Sequence, residues 1–127
     1  MILLESGEMY LETILVLQKE KANVRSIDIS NEMHFSKPSV SRAVKTLKTN
    51  GYINVDENGY ITFTDKGKAI AEDIYDRHQV LTSCLLSLGV PQDLAAKDAC
   101  KIEHDLSPET FAAIKKHMKK YVSAKKK

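Results

Sequence analysis

The chain has 127 residues, of which 28% are charged and 6% aromatic, with no tryptophan. This composition favours a mainly helical protein with one modest core over a β-sandwich or barrel. No apolar run approaches the roughly 18 residues of a membrane span, and the N-terminus lacks the pattern of a secretory signal, so a cytoplasmic protein without a membrane partner is expected. The net charge of +2 is too small to indicate a nucleic-acid partner by itself.

The first three predicted elements are helices. Apolar residues recur at helical spacing over Glu5–Lys19. Ser26 is a candidate N-cap for a short second helix. Ser36 is a stronger one for a third, because Pro38 follows in the first turn, where its missing N–H costs nothing. Since only a tight connection around His34 separates the second helix from the third, the pair is predicted to form a helix-turn-helix.

A β-hairpin is predicted next. Three apolar or aromatic residues lie in 52–55 and three more in 60–63. Between them lie Asn58 and Gly59, a pair that tolerates the positive φ of a tight turn. This hairpin, termed the wing, completes a winged helix-turn-helix.

Three helices are predicted in the second half. Thr64-Asp65 begins a long linking helix over about residues 65–88, which Gly89 ends. A helix over about 92–105 follows, and Ser107 begins the last one. We therefore expect two domains, a winged helix-turn-helix DNA-binding domain over 1–63 and a helical metal-binding and dimerisation domain over 64–127. Three helices enclose too small a core alone, so a homodimer is expected.

The third helix is the candidate DNA-reading element. No acidic residue lies between Glu32 and Asp56, so the third helix is basic. Its candidate DNA-binding residues are Ser36, Lys37, Pro38, Ser39, Ser41, Arg42, Lys45 and Lys48. Arg42 is the best candidate for a base contact, because its planar fork can bond two acceptors of guanine, whereas the later lysines suit phosphates. The alternative is a solvated basic helix in a protein-binding domain.

A candidate metal site lies near the end of the fifth predicted helix. Cys100, Glu103 and His104 stand three and four residues apart, so on a helix they project from one face. Thiolate, carboxylate and imidazole together suit a transition ion better than Mg²⁺ or Ca²⁺. Alternatively, Cys100 is a buried apolar residue and the other two decorate an exposed face. Cys84 and Cys100 are expected to be free thiols.

The sequence resembles the iron- and manganese-dependent repressors of the diphtheria toxin repressor family. Five segments carry the resemblance, in order and at matching separations. They are EMYLETI at Glu8–Ile14, SKPSVSRAVKTL at Ser36–Leu47, TDKGK at Thr64–Lys68, RH at Arg77–His78 and DACKIEHDLS at Asp98–Ser107. The match covers the chain from the first helix to about Leu106.

The resemblance implies that Met9 joins Cys100, Glu103 and His104 in a primary metal site. The manganese-selective branch carries carboxylates at the positions of Met9 and Cys100, whereas the iron-responsive branch has Met and Cys. Softer ligands favour Fe²⁺ over Mn²⁺, which agrees with that comparison. Mn²⁺ is the alternative, and Co²⁺, Ni²⁺ or Zn²⁺ are expected to substitute in vitro.

A second metal site is implied less completely. Glu12 and His78 match the second position of the manganese branch. The iron branch needs a carboxylate and a histidine where this chain has Thr82 and Ala96. The third, SH3-like domain of many iron-type members has no counterpart in these 127 residues.

The resemblance implies a non-enzymatic repressor that binds palindromic operator DNA as a homodimer when Fe²⁺ or a similar ion activates it, and that controls metal-uptake genes. Two rivals rest on other classes. One is a winged-helix regulator of a small organic ligand, which needs an apolar pocket. The other is an enzyme using Cys100 and His104, for which no oxyanion motif is apparent. The run at Lys125–Lys127 is expected to be a solvated end, with a phosphate-contacting tail as the alternative.

Overall fold

The computed structural model describes the backbone of residues 5–125 and the side chains of residues 6–120. Within that range the chain forms six helices and one two-stranded sheet. They are α1 (Glu5–Glu20), α2 (Ser26–Met33), α3 (Lys37–Thr49), β1 (Ile53–Val55), β2 (Ile61–Phe63), α4 (Asp65–Ser87), α5 (Gln92–Ile102) and α6 (Pro108–Lys125). The mainly α fold class with a winged helix-turn-helix is confirmed. Lys126 and Lys127 of the predicted basic end lie outside the described residues.

The chain divides into two compact units, residues 1–73 and 74–127. In the first unit α1 packs on α2 and α3, and α3 packs on β1. Its core is apolar and contributed by every element of the unit. It includes Leu11, Ile14, Leu17, Val24, Ile29, Val40, Val44, Leu47, Ile53 and Ile61. The domain boundary after residue 63 stays a prediction.

The helix-turn-helix is closed by local hydrogen bonds. The chain reverses at His34, the C-cap of α2, whose φ of 59° is left-handed. Ser30 Oγ donates to the Phe35 carbonyl at 2.6 Å across this turn. Ser36 caps α3 as predicted, because its Oγ accepts from the Ser39 N–H. These bonds fix where the exposed face of α3 begins.

The start of α2 differs from the prediction. Ser26 is the first helical residue, and Arg25 is the N-cap. The Asp28 carboxylate accepts the Arg25 N–H at 2.9 Å and the Lys21 Nζ at 2.5 Å. The start of α2 is therefore held by an acidic side chain of the first turn that accepts the N–H of the N-cap residue, and not by a serine hydroxyl at the N-cap.

The wing pairs Ile53 with Phe63 and Val55 with Ile61 in antiparallel register. At its tip, Asp56 Oδ1 accepts the N–H groups of Asn58 and Tyr60. Of the predicted turn pair only Gly59 has a positive φ, 82°. The wing is joined to the segment before α2, where the Arg25 guanidinium donates to the Asn58 carbonyl. The Val24 carbonyl also accepts the Ile61 N–H at 2.8 Å.

The second unit contains most of α4 together with α5 and α6. Its buried apolar residues are Ile74, Leu81, Ala95, Ala99, Phe111 and Met118. Ser107 caps α6, because its Oγ accepts the Thr110 N–H at 3.1 Å. The predicted helix over 92–105 is too long, since α5 ends at Ile102 and Glu103 is its C-cap.

Candidate functional site

The candidate metal centre lies where α5 ends. Cys100 is in the last helical turn, Glu103 is the C-cap, and His104 follows in the turn beyond. One donor atom from each of the three residues lies within 4.8 Å of the other two. The predicted trio therefore converges, although a helix end and the following turn bring it together rather than one uninterrupted helical face.

Glu103 is the centre of this cluster. It is 0% exposed. Its Oε2 lies 2.9 Å from His78 Nδ1 on α4, within hydrogen-bond distance, and its Oε1 lies 3.4 Å from His104 Nε2. Among the described residues Oε1 has no hydrogen-bond partner. Burying a carboxylate oxygen without a donor or cation is costly, and either a protonated His104 or a bound metal ion would supply the missing positive charge.

The donor set fits a transition ion. A carboxylate oxygen that lacks a hydrogen-bond partner, a thiol sulfur and an imidazole nitrogen offer three ligands of mixed softness. The His104 side chain is only 1% exposed, while Cys100 is half-buried and borders an open surface groove of about 580 Å³.

Arg77 forms hydrogen bonds with the segment that carries these donors, a role that the sequence motifs do not indicate. Its Nη1 donates to the carbonyls of Glu103 and Leu106, at 3.1 and 2.7 Å. Its guanidinium lies over the Phe111 ring, 5.2 Å from the centroid. Arg77 is buried and satisfies two carbonyls beyond the end of α5. The only sequence signal was its place beside His78 in a family motif.

The remaining predicted ligands are divided between the units. His78 lies in the second unit and contacts Glu103, so it adjoins the primary trio. Met9 and Glu12 lie on α1 in the first unit, both half-buried and about one helical turn apart. Thr82, where the iron branch has a carboxylate, has a buried hydroxyl with no hydrogen-bond partner among the described residues. The two cysteines are free thiols.

The candidate DNA face is formed by the outer side of α3. Val40, Val44 and Leu47 bury the inner side. Of the eight predicted DNA-binding residues, Ser39 is half-buried and the other seven are exposed: Ser36, Lys37, Pro38, Ser41, Arg42, Lys45 and Lys48. Arg42 Nη2 donates to Ser39 Oγ at 3.4 Å, a long bond that a DNA acceptor could replace. Lys37 and Ser41 also line a pocket of about 290 Å³ with Ser26 and Ile27 of α2.

The first unit is a winged helix-turn-helix with a basic outer helix. The second unit is helical and carries converging thiol, carboxylate and imidazole donors. This combination defines the class of metal-responsive DNA-binding regulators. Comparison with known families agrees. Residues 2–63 match the N-terminal DNA-binding domain of iron-dependent repressors, and residues 64–124 match their metal-binding and dimerisation domain. The chain belongs to this family, the diphtheria toxin repressor family, which confirms the resemblance noted in the sequence.

Relatives with different names share similar sequence identity with this chain. The transcriptional regulator MntR of Escherichia coli is 32% identical over 112 residues, which are 88% of this chain and 72% of that protein. An HTH-type transcriptional regulator of Methanocaldococcus jannaschii is 32% identical over 119 residues, 92% of this chain and 95% of that one. The iron-dependent repressor IdeR of Mycobacterium leprae is 30% identical over 108 residues, 84% of this chain and 47% of that protein.

Solved structures show the same fold. The manganese regulator SloR superimposes with a TM-score of 0.79 at 25% identity. The metal-dependent transcriptional regulator MtsR superimposes with 0.82 at 24%. Each match covers 89% of this chain and 53% of the solved one, so the chain spans about half the length of these structures. No helix in the described part of the chain is long and apolar enough to cross a membrane.

Proposed function

We propose that this chain is a cytoplasmic repressor that binds palindromic operator DNA as a homodimer when Fe²⁺ occupies a site made by Met9, Cys100, Glu103 and His104. The observation that carries the proposal is the convergence of a thiol, an imidazole and a buried carboxylate whose Oε1 has no hydrogen-bond partner among the described residues. Met9 enters through the family motif and stays a proposed ligand, as do Glu12 and His78 for a second site.

Iron is proposed over manganese because of the ligand types. A thiolate and a thioether are soft donors, which Mn²⁺ accepts less readily than Fe²⁺ does. His78 supports the same centre, because a histidine within hydrogen-bond distance of a ligating carboxylate orients it toward the ion. The rival ion is Mn²⁺, because the chain also resembles the manganese regulator SloR.

Activation is proposed to act through conformational populations. An ion that binds only the DNA-competent arrangement shifts the protein toward that arrangement by its differential affinity for the two states. DNA binding should then rise with metal occupancy, and the metal should bind more tightly when operator is present, because the coupling is reciprocal. The proposed targets are genes for metal uptake.

The test is a binding selection from a pool of random duplexes, done anaerobically under reducing conditions with Fe²⁺, Mn²⁺, Co²⁺, Zn²⁺ or chelator. We expect a palindromic sequence to be enriched with Fe²⁺ and Co²⁺ and lost with chelator. Equal enrichment in chelator would overturn metal dependence. Enrichment with Mn²⁺ at ion concentrations where Fe²⁺ gives none would replace iron by manganese.

A further inference from the structure

The charges of this chain are strongly segregated. All 17 acidic residues precede residue 110, and seven of the 19 basic residues follow it. Residues 1–109 therefore carry a net charge of −5 and residues 110–127 a net charge of +7, with histidine neutral. Five of these seven basic residues lie on α6, so the positive charge extends well before the terminal lysine run.

The packing of α6 determines which of its lysines face outward. Phe111 and Met118 are buried, and Lys115 is half-buried and donates to Asp76 Oδ2 at 2.6 Å. Among the described side chains of α6, the exposed lysines are Lys116, Lys119 and Lys120. None of the three pairs with a described carboxylate. We call these three residues the α6 lysine cluster.

These lysines lie on one side of the helix, because residues three and four apart are neighbours on a helix surface. Three cations within about one turn repel one another unless an anion lies over them. An isolated surface carboxylate can neutralise only one of them. Duplex DNA presents one negative charge per about 1.7 Å of its axis, so it can neutralise all three together.

We propose that the α6 lysine cluster binds DNA phosphates without sequence preference, as a second DNA contact in addition to that of α3. The inference rests on the proposed function, since α3 must first bring DNA to the chain. Once the first domain is bound, DNA is present at the high effective concentration of a tethered ligand, so weak phosphate contacts add to affinity. A bilayer is a poorer partner, because the apolar side of α6 is buried in the unit and cannot insert.

The experiment measures binding of the whole chain to a random-sequence duplex over a range of KCl concentrations, with Co²⁺ in excess, by fluorescence anisotropy. The test variant is Lys116→Gln/Lys119→Gln/Lys120→Gln. Its control, Lys66→Gln/Lys68→Gln/Lys97→Gln, removes the same charge at exposed sites elsewhere. We expect the slope of log K against log [KCl] to fall by about 2 to 3 in the test variant, at about 0.9 for each phosphate that is no longer neutralised. The control should keep the wild-type slope.

A third variant, Arg42→Ala/Lys45→Ala/Lys48→Ala, separates this inference from the proposed function. If it reduces the slope and the α6 variant does not, the α6 contact is wrong and the α3 assignment stands. If neither variant changes the slope, both assignments fail. Equal reductions of the slope in the α6 variant and its control would show a net-charge effect and overturn the inference. So would loss of binding to phosphatidylglycerol vesicles in the α6 variant with DNA binding unchanged.

Discussion

Cys100 is the residue on which the identity of the metal depends, because its sulfur is the softest donor of the converging trio. Cys100→Ala should leave the apo protein folded, since a half-buried thiol contributes little packing. It should weaken Co²⁺ binding by more than the roughly 10–100-fold that loss of an outer partner costs. The thiolate-to-Co²⁺ charge-transfer absorption should disappear. Cys84→Ala is the control and should keep the absorption; its persistence in Cys100→Ala would remove Cys100 from the site.

Arg77 is expected to act through the ligands that it positions. Arg77→Lys retains the charge, but its Nζ lies one bond short of the position of Nη1, and it has no planar group to lie over the Phe111 ring. We expect apo stability to fall by about 1–3 kcal/mol, from a buried carbonyl left unsatisfied, and Co²⁺ affinity to fall by about 10–100-fold. Lys115→Gln breaks the ion pair with Asp76 and should change stability but not affinity. If affinity is unchanged in Arg77→Lys at a temperature where the protein is folded, the role of Arg77 is structural only.

The metal-donor residues could be predicted from the sequence, whereas the residues that position them could not. Cys100, Glu103 and His104 have chemistry that is apparent from residue type and spacing, so the trio could be found without a structure. The two Arg77 hydrogen bonds reach backbone carbonyls 26 and 29 residues away. Backbone carbonyls are the same at every position, so no pattern of side chains could indicate these bonds. The contact between His78 and Glu103 is equally long-range, and only the family motif pointed to His78.

Among the elements, α2 has a first turn whose contribution to stability should depend on pH. The Lys21 ammonium, followed by the Arg25 N–H, lowers the pKa of Asp28 below its ordinary value. The pKa of Asp28 is therefore lower in the folded protein than in the unfolded chain, where it is near 4. The ionised carboxylate stabilises the folded state above about pH 4, and this stabilisation is lost as the pH falls through the folded-state pKa. Asp28→Asn should therefore cost about 0.5–1 kcal/mol at pH 7 in urea unfolding and progressively less below pH 4. A cost that stays constant down to pH 3 would contradict this origin.

The first turn of α4 packs closely against the backbone of Tyr52, the residue before β1. A Cβ on Gly67 would lie 1.8 Å from the Tyr52 carbonyl oxygen, and Thr64 Oγ1 accepts the Gly67 N–H while its N–H donates to Tyr52. Gly67→Ala should therefore destabilise the protein by at least about 1–3 kcal/mol, because backbone must move, although alanine is the better helix former. Lys68→Ala, exposed on the next position, should stay within about 0.5 kcal/mol. Thermal unfolding distinguishes the two, and an unchanged Gly67→Ala would mean that the helix start shifts at no cost.

Local sequence signals predicted which helices and strands form, but they predicted the ends of the helices less accurately. Ser36, Thr64 and Ser107 each accept a backbone N–H, so hydroxyl caps before apolar runs were reliable starts. The prediction failed at Ser26, because the helix begins at that residue and the Asp28 carboxylate accepts the N–H of Arg25, the N-cap. It also extended α5 beyond Ile102, because helical spacing of the donors does not require helical backbone to continue through them.

For the whole molecule, the exposed apolar surface is concentrated in the second unit. Four of the six exposed large apolar residues of the described part lie there: Leu86, Leu88, Leu94 and Ile102. Leu88 is 74% exposed and Leu94 48%. The matching family domain is described as a dimerisation domain, so a second copy of the chain is the proposed cover.

Charges placed within that surface should therefore separate the proposed dimer. In sedimentation velocity we expect the wild-type chain to have twice its 14.3 kDa mass. Leu88→Lys/Leu94→Lys should run at 14.3 kDa with an unchanged helical signal, because two cations cannot be buried without partners. Ile27→Lys, exposed in the first unit, is the control and should keep the double mass. The monomer should also bind the selected palindrome more weakly than the dimer, since one recognition helix contacts only one half-site. A double mass in Leu88→Lys/Leu94→Lys would place the dimer contact on another surface.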